Sequence, residues 1–223
     1  MPKRRNWRAR SFKTPKVKTM PESTRLMSSW HFAEEEFHRG RGWLIPDESR
    51  LRYSKLALYT LEPLREAFGG RAITILSGER GINTNGGGRP SSCHLPPSMR
   101  ADRMSRKPIE ARAGDLTHPE LRGQNVHAAA ADIRVAGLSP ELVYHVIYAA
   151  MAHGIEKPEA GLIPRGGVFY YGGTSQFVHV DNRGYLARDV KLMPPSISVL
   201  SPNEVKVYHS ALNTLIAKTQ KGS

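Results

Sequence analysis

The chain of 223 residues is long enough for one compact domain with extensions or for two small domains, and its 39% hydrophobic and 24% charged residues are typical of a globular protein. It contains no apolar run of about 18 residues that could span a membrane, and its N-terminus lacks the apolar core of a secretory signal. The single cysteine, Cys93, excludes an internal disulfide framework and every cysteine-rich zinc site. Any metal must therefore be held by His, Asp or Glu.

The beginning of the chain differs from the rest in charge. The formal net charge is +13, eight lysines and arginines fall within residues 1–18, and no acid occurs before Glu22. Such a segment cannot bury enough apolar surface to fold alone, so we predict an extended arm over residues 1–25. Trp7 and Phe12 favour contact with nucleic acid, an anionic cell wall or a neighbouring protein over a solvated tail. The cations expected to make that contact are Lys3, Arg4, Arg5, Arg8 and Arg10.

Residues 30–80 carry the first regular elements. The segment 30–37, WHFAEEEF, mixes aromatic and acidic residues and could brace the domain. Apolar residues at helical spacing predict a helix over 51–70, in which Pro63 should cause a kink or begin a second helix. The segment 71–78, RAITILSG, then predicts a β-strand.

Residues 81–123 interrupt this regularity. The segment is rich in Gly, Pro, Ser and Arg, shows no sustained period and is too long for an ordinary loop of a compact domain. We therefore predict an irregular insertion that folds against a partner or stays mobile.

The elements that follow are typical of an α+β domain. AADIRVAG predicts a strand, and Ser139 is a good N-cap for a helix over 139–154. GGVFYYGG and SQFVHVDN predict an antiparallel pair joined by GGTS, and 201–218 predicts an amphipathic helix. The predicted fold is a small antiparallel sheet flanked by helices, with its domain at 26–190 and a C-terminal extension at 191–223. The buried stripe of the helix over 139–154 should consist of Leu142, Val143, Val146, Ile147 and Ala150.

The segment FVHVD alternates in character. Phe177, His179 and Asp181 share one face of the predicted strand, and Val178 and Val180 point to the other. The strand therefore predicts an apolar face turned to the core and a polar face available for chemistry.

Two further segments carry residues suited to a site. Arg80 follows SG at the end of a predicted strand, and HAAAADI contains His127 and Asp132. His and Asp are sound zinc ligands, and a catalytic zinc typically takes three protein ligands and a water. Ordinary roles are also open: Asp132 could cap a turn or pair with an arginine, and His179 could be a satisfied strand histidine.

Taken in order, the segments resemble the zinc D-alanyl-D-alanine carboxypeptidase family, in its phage and bacterial cell-wall peptidase branch, which shares its fold with the Hedgehog signalling domain. The matching segments cover about residues 30–182 apart from the insertion. They are HFAEEEF, LREAFGG, AITILSGER, GQNVHAAAADIRVAGLS, GGVFYYGG and FVHVD. The resemblance implies a sheet carrying a zinc ion, which polarises the scissile carbonyl and activates water in the cleavage of peptidoglycan stem peptides.

The resemblance assigns roles to particular residues. It implies that Asp132 and His179 are zinc ligands and that Arg80 binds a substrate carboxylate. Some branches place a general-base glutamate three residues before the second histidine, where this chain has Gln176. Asp181 is the nearest alternative carboxylate, either as a base or as a group that orients a ligand.

The first histidine ligand of the family does not carry over. Its position is occupied by Asn125, whose amide is a poor zinc ligand. Three alternatives are open: His127 two residues further on, His94 in SSCH before the insertion, or loss of the three-ligand site. The other histidines are predicted to be surface or helix residues: His31, His38, His118, His145, His153 and His209.

Two functions follow from the resemblance. We favour a structural component of a phage particle, located in the virion, whose peptidase-like domain has lost its full zinc site. Its arm, insertion and C-terminal helix would then bind neighbouring subunits. The alternative is an active zinc D,D-carboxypeptidase or endopeptidase of the endolysin type, cytoplasmic before release, with the arm attached to the anionic wall. Nucleic-acid binding through the arm alone is a third hypothesis.

Overall fold

The computed structural model describes part of the chain. The described residues are 29, 31–37, 47–80, 93–94, 129–153, 162–184, 186–187 and 194–221. The predicted arm, Asn125 and His127 lie outside them, as does the predicted insertion apart from Cys93 and His94.

Four strands form one antiparallel sheet. Their spatial order is β1 (Ile73–Ser77), β2 (Ala130–Val135), β4 (Phe177–Asp181) and β3 (Val168–Tyr171). The predicted α+β class, with a small antiparallel sheet and flanking helices, is confirmed. The hairpin of β3 and β4 follows the segments in which it was predicted, and its second strand pairs with β2 at the centre of the sheet.

Helices cover the apolar face of this sheet. The α-helices among the described residues are α1 (Glu34–Phe37), α2 (Asp47–Leu56), α3 (Glu62–Ala67), α4 (Pro140–Ala152) and α5 (Pro202–Lys221). α4 packs on the sheet, and α5 packs on α3 and α4. Leu200, Ala211 and Leu215 belong to the main core, so the C-terminal extension shares that core. None of the described helices combines the length and the apolar character needed to cross a membrane.

The predicted helix over 51–70 consists of two α-helices joined by a π-helical turn, Ala57–Leu61. Pro63 lies in the first turn of α3, directly after the π-helical turn. The chain leaves α3 through Gly69 and Gly70, whose φ angles of 69° and 76° favour glycine. The prediction that Pro63 begins a second helix is confirmed.

Helix α4 follows its sequence signals. Ser139 is the N-cap, and its Oγ accepts a hydrogen bond from the Leu142 N–H at 3.3 Å. The helix ends at Ala152, and all five residues of the predicted stripe are buried. The stripe packs against the apolar face of the sheet, which fixes the orientation of the opposite face.

Strand β4 separates the core from a polar site. Val178 and Val180 are fully buried in the core, as predicted. His179 and Asp181 point to the other face, where they are also buried but contact polar groups. The alternation of FVHVD therefore reflects two different kinds of burial on one strand.

Candidate metal centre

Three buried polar side chains meet on the polar face of the sheet. His94, Asp132 and His179 are 3%, 4% and 8% exposed. His94 Nε2 lies 3.1 Å from His179 Nδ1 and 3.3 Å from Asp132 Oδ1, and His179 Nδ1 lies 3.0 Å from Asp132 Oδ1. This group could hold a metal ion. Among the described residues, His94 is the histidine that the fold brings to Asp132 and His179.

The triangle of ligand atoms is small enough for one metal ion to contact all three. Its sides measure 3.0, 3.1 and 3.3 Å. Ligand atoms about 2.0–2.1 Å from a tetrahedral metal ion lie about 3.3 Å apart, so the spacing is compatible with a shared ion.

The strands themselves place two of the three residues. Asp132 on β2 and His179 on β4 are direct partners in the ladder, so their side chains share one face. On β1 the register shifts between Ile75 and Ser77: Ile75 pairs with Ile133 of the core, whereas Ser77 pairs with Asp132. This irregularity turns the end of β1 towards the polar face.

His94 approaches the centre from outside the sheet. Its carbonyl oxygen accepts a hydrogen bond from the Arg80 N–H at 2.8 Å, and its ring Nδ1 donates to the Gly78 carbonyl oxygen at 2.5 Å. Gly78 has no room for a side chain, because a Cβ there would lie 2.2 Å from the Phe37 carbonyl oxygen. The two hydrogen bonds of His94, to Arg80 and to Gly78, hold it against the segment that follows β1.

Outer hydrogen bonds orient both imidazoles. A carbonyl can only accept, so the contact with Gly78 places the proton of neutral His94 on Nδ1 and leaves a lone pair on its Nε2. His179 lies between two carboxylates, with Nδ1 3.0 Å from Asp132 Oδ1 and Nε2 3.2 Å from Asp181 Oδ2, so the metal-free ring can donate from both nitrogens. A metal ion would displace the proton of Nδ1, while Asp181 would keep that of Nε2.

Burial and charge act in opposite directions on the groups of the centre. Burial favours a raised pKa for Asp132, but hydrogen bonds from His179 and His94 hold that pKa well below its ordinary value. Burial lowers the pKa of His94. Burial also opposes the charged form of His179, but its hydrogen bonds to Asp132 and Asp181 raise its pKa. The centre therefore favours positive charge beside the ionised Asp132, either as a proton on His179 or as a metal ion.

Asp181 lies behind His179 and is fully buried. Its Oδ1 accepts hydrogen bonds from the Gly167 N–H and from Arg183 Nε, both at 2.8 Å, and its Oδ2 contacts Arg183 and His179. Burial would raise the pKa of Asp181, but the charge of Arg183 and these hydrogen bonds lower it. Of the two roles left open for this carboxylate, the geometry fits the orientation of a ligand rather than proton transfer.

Arg80 lies at the rim of the centre. Its side chain is 23% exposed, and its Nη2 contacts Asp132 Oδ2, the oxygen turned away from the two histidines. Its Nε donates to Ser77 Oγ at 2.7 Å. Asp132 thus pairs with an arginine, as one of its ordinary roles predicted, while its other oxygen remains directed at His94 and His179.

Gln176, at the position of the family's general base, lies in the turn before β4. It is exposed and has a φ of 44°. Its carbonyl oxygen accepts a hydrogen bond from Arg134 Nε at 2.8 Å. With no titratable group and an anchored backbone, Gln176 is a turn residue in this structure.

A buried ion pair beneath the centre was missed from the sequence. Arg52 is fully buried on α2, and its Nη2 contacts Glu79 Oε2 and Ser49 Oγ, both at 3.0 Å. Ser49 Oγ in turn donates to Glu79 Oε1 at 3.0 Å. Glu79 stands between Gly78 and Arg80, so this pair fixes the segment that holds His94. Its burial could have been predicted from helical spacing, because Arg52 lies four residues before Leu56 and therefore on the same buried face of the helix.

The other described histidines take no part in this centre. His31 pairs with Glu62 Oε2 at 2.7 Å, and His145 contacts the Pro195 carbonyl oxygen at 3.0 Å. His153 and His209, also described, are not members of the group either. Two further predicted surface histidines, His38 and His118, lie outside the described residues.

A separate cavity of about 1170 Å³ lies between the π-helical turn, α3, residues 162–165 and Lys218. Neither His94, Asp132 nor His179 lines it. His31, Glu62 and Glu66 are among the residues that line the cavity, and the candidate metal group found among the described residues lies elsewhere.

No protein-family model, curated protein or solved structure matches the chain. A function must therefore be inferred from the chemistry of the candidate metal centre and from the resemblance of the sequence segments to the carboxypeptidases.

Proposed function

We propose that the protein is a zinc metallopeptidase of the D-alanyl-D-alanine carboxypeptidase type that cleaves peptidoglycan stem peptides. The observation that carries this proposal is the convergence of His94 Nε2, Asp132 Oδ1 and His179 Nδ1 at the spacing of a zinc site with an open fourth position. Two imidazoles and one carboxylate form a ligand set that suits zinc.

Each residue of the centre has a distinct task in this proposal. Bound there, zinc supplies a Lewis acid that polarises the scissile carbonyl and lowers the pKa of a water. His94, Asp132 and His179 hold it, and their outer hydrogen bonds keep the lone pairs directed inward. Asp181 orients His179, and neither Asp181 nor Gln176 is assigned as a general base.

Arg80 is proposed to bind the carboxylate at the C-terminal end of a stem peptide. Its guanidinium is partly exposed at the rim and stands beside the centre through its contact with Asp132. A planar guanidinium can bind a carboxylate with two parallel hydrogen bonds. This arrangement supports a preference for cleavage next to a free C-terminus.

The structural-component hypothesis rested on two weakened positions, Asn125 and Gln176, and on the arm, the insertion and the C-terminal helix. The position of His94 beside Asp132 and His179 supports a substitute for the first weakened position. Location in a phage particle stays a prediction from the resemblance, and the partner surfaces predicted on the arm and the insertion lie outside the described residues. An active peptidase domain is also compatible with a place in such a particle.

Two matched histidine variants test the proposal. Zinc should be stoichiometric in the purified wild type and in His127→Ala, and should be lost in His94→Ala. Release of D-alanine from a stem pentapeptide should follow the same pattern. A wild-type protein without zinc, or zinc and activity that depend on His127 rather than His94, would contradict the proposal.

A further inference from the structure

We propose that Arg183 and Phe169 are positioning residues that hold His179 in the orientation needed for metal binding, with Asp181 as the link between Arg183 and the ring. This inference rests on the metal centre of the proposed function but not on peptidase activity. Neither residue touches the three ligand atoms, and neither was singled out from the sequence.

Asp181 is held from several directions. Arg183 contacts both carboxylate oxygens through its side chain, with Nε at 2.8 Å from Oδ1 and 3.0 Å from Oδ2. Its backbone N–H also donates to Oδ1 at 3.2 Å. The Gly167 N–H donates to the same oxygen at 2.8 Å. The carboxylate is therefore fixed, and its Oδ2 can accept from His179 Nε2 in only one place.

The close approach of Gly167 explains why this position lacks a side chain. A Cβ on Gly167 would lie 2.5 Å from Asp181 Oδ2 and 3.0 Å from the Arg183 side chain. Any larger residue would separate the backbone donor from the carboxylate or displace Arg183. Gly167, in the first glycine pair of GGVFYYGG, thus allows its backbone N–H to reach the Asp181 carboxylate.

Phe169 supports the other side of this assembly. It is the ladder partner of His179 on β3, and the two ring centroids are 5.2 Å apart with an interplanar angle of 45°. The Arg183 guanidinium lies over the Phe169 ring at 5.5 Å from its centroid. Each of four side chains thus contacts the next, in the order His179, Asp181, Arg183 and Phe169, and Phe169 in turn contacts His179.

The orientation of His179 matters because its two nitrogens are not equivalent here. Nδ1 is the atom that meets His94 and Asp132, whereas Nε2 meets Asp181. A half-turn of the ring about the Cβ–Cγ bond would put Cδ2 in the place of Nδ1 and Cε1 in the place of Nε2, so no lone pair would face the other two ligands. Outer partners of this kind fix the tautomer and the ring orientation of metal-bound histidines.

Zinc affinity and the spectrum of the cobalt-substituted protein test this role without recourse to activity. Arg183→Gln should weaken zinc binding by up to about 10-fold, less than the about 10- to 100-fold expected for loss of Asp181, the direct outer partner of His179. Its cobalt(II) absorption bands should shift because the geometry at His179 changes. Phe169→Leu should give a smaller change in the same direction.

Arg134→Gln is the matched control, because Arg134 is an arginine of the same sheet that donates to the carbonyl oxygens of Ser175 and Gln176 in the turn before β4. It should bind zinc like the wild type. Wild-type zinc affinity and an unchanged cobalt spectrum in Arg183→Gln would overturn the inference, as would an equal loss in both arginine variants.

A third arginine variant covers a failure to fold. If Arg183→Gln does not give a cooperative thermal transition, Arg183→Lys takes its place. It keeps the charge but loses the two-pronged contact, and should still bind zinc more weakly than the wild type; equal affinity would overturn the inference. Tight zinc binding by the wild type without D-alanine release would overturn only the proposed function, whereas absence of zinc from the wild type would overturn both.

Discussion

The two faces of the central strands are both buried, yet they are built for different purposes. On one face Val178, Val180 and Ile133 are buried in the apolar core under the helices. On the other face, Asp132 and His179 are shielded from water and make polar contacts with each other and with His94. Apolar burial stabilises the fold directly, whereas buried polar groups cost free energy unless each finds a partner. The comparison indicates that the polar face is kept for a function that the fold itself does not require.

The largest expected effects come from substitutions of two neighbouring residues on opposite faces of β2, Ile133 and Asp132. Ile133→Ala should lower the free energy of unfolding by about 2–5 kcal/mol, because it leaves a cavity in the core, but should leave zinc stoichiometry unchanged in the folded protein. Asp132→Asn, which keeps the shape of the side chain, should abolish zinc binding. Denaturant unfolding and metal analysis of both variants check this pair. Loss of zinc in Ile133→Ala at a temperature where it is folded would show that the two faces are not separable.

An intermediate effect concerns pH and the polar face alone. Zinc binding requires neutral imidazoles, so acidification must weaken it, by up to about tenfold per pH unit for each proton displaced. Because hydrogen bonds to Asp132 and Asp181 raise the pKa of His179 in the metal-free protein, competition by protons should begin above the ordinary histidine value. Zinc titrations across neutral pH measure the slope.

The control for that pH dependence removes one of the two causes. In Asp181→Asn the raising influence of the carboxylate on the pKa of His179 is lost, so proton competition should begin at lower pH. A slope that is the same in both proteins at every pH would contradict the assignment of His179 as the competing group.

The smallest expected effect is at the edge of the polar face. Gln176 has a φ of 44°, a left-handed value that favours glycine, so Gln176→Gly should stabilise the fold by up to about 1 kcal/mol. Zinc binding and D-alanine release should not change, because the side chain is exposed and has no titratable group. A thermal melt and the peptide assay check both statements. A large loss of activity would give Gln176 a role in the chemistry that the turn geometry does not suggest.

The sequence determined the local features of this protein because they depend on neighbours in the chain. The alternation of FVHVD predicted which residues of β4 face the core, and Ser139 predicted where α4 begins. Pro63 predicted a second helix because proline fits a first turn but not a helix interior. The strand patterns also placed Asp132 and His179, but their role as metal ligands was implied by the resemblance to the carboxypeptidases.

Only the tertiary structure shows which of the described histidines lies beside Asp132 and His179. His94 is 85 positions before His179, in a segment without periodicity, and no local pattern separates it from His127 as a third ligand. It is placed by its hydrogen bonds to Gly78 and Arg80, and those depend on the buried Arg52–Glu79 pair that fixes the end of β1. Long-range contacts of single polar groups leave no periodic trace in a sequence, because their partners can lie anywhere along it. Only the folded chain brings the third lone pair to the other two.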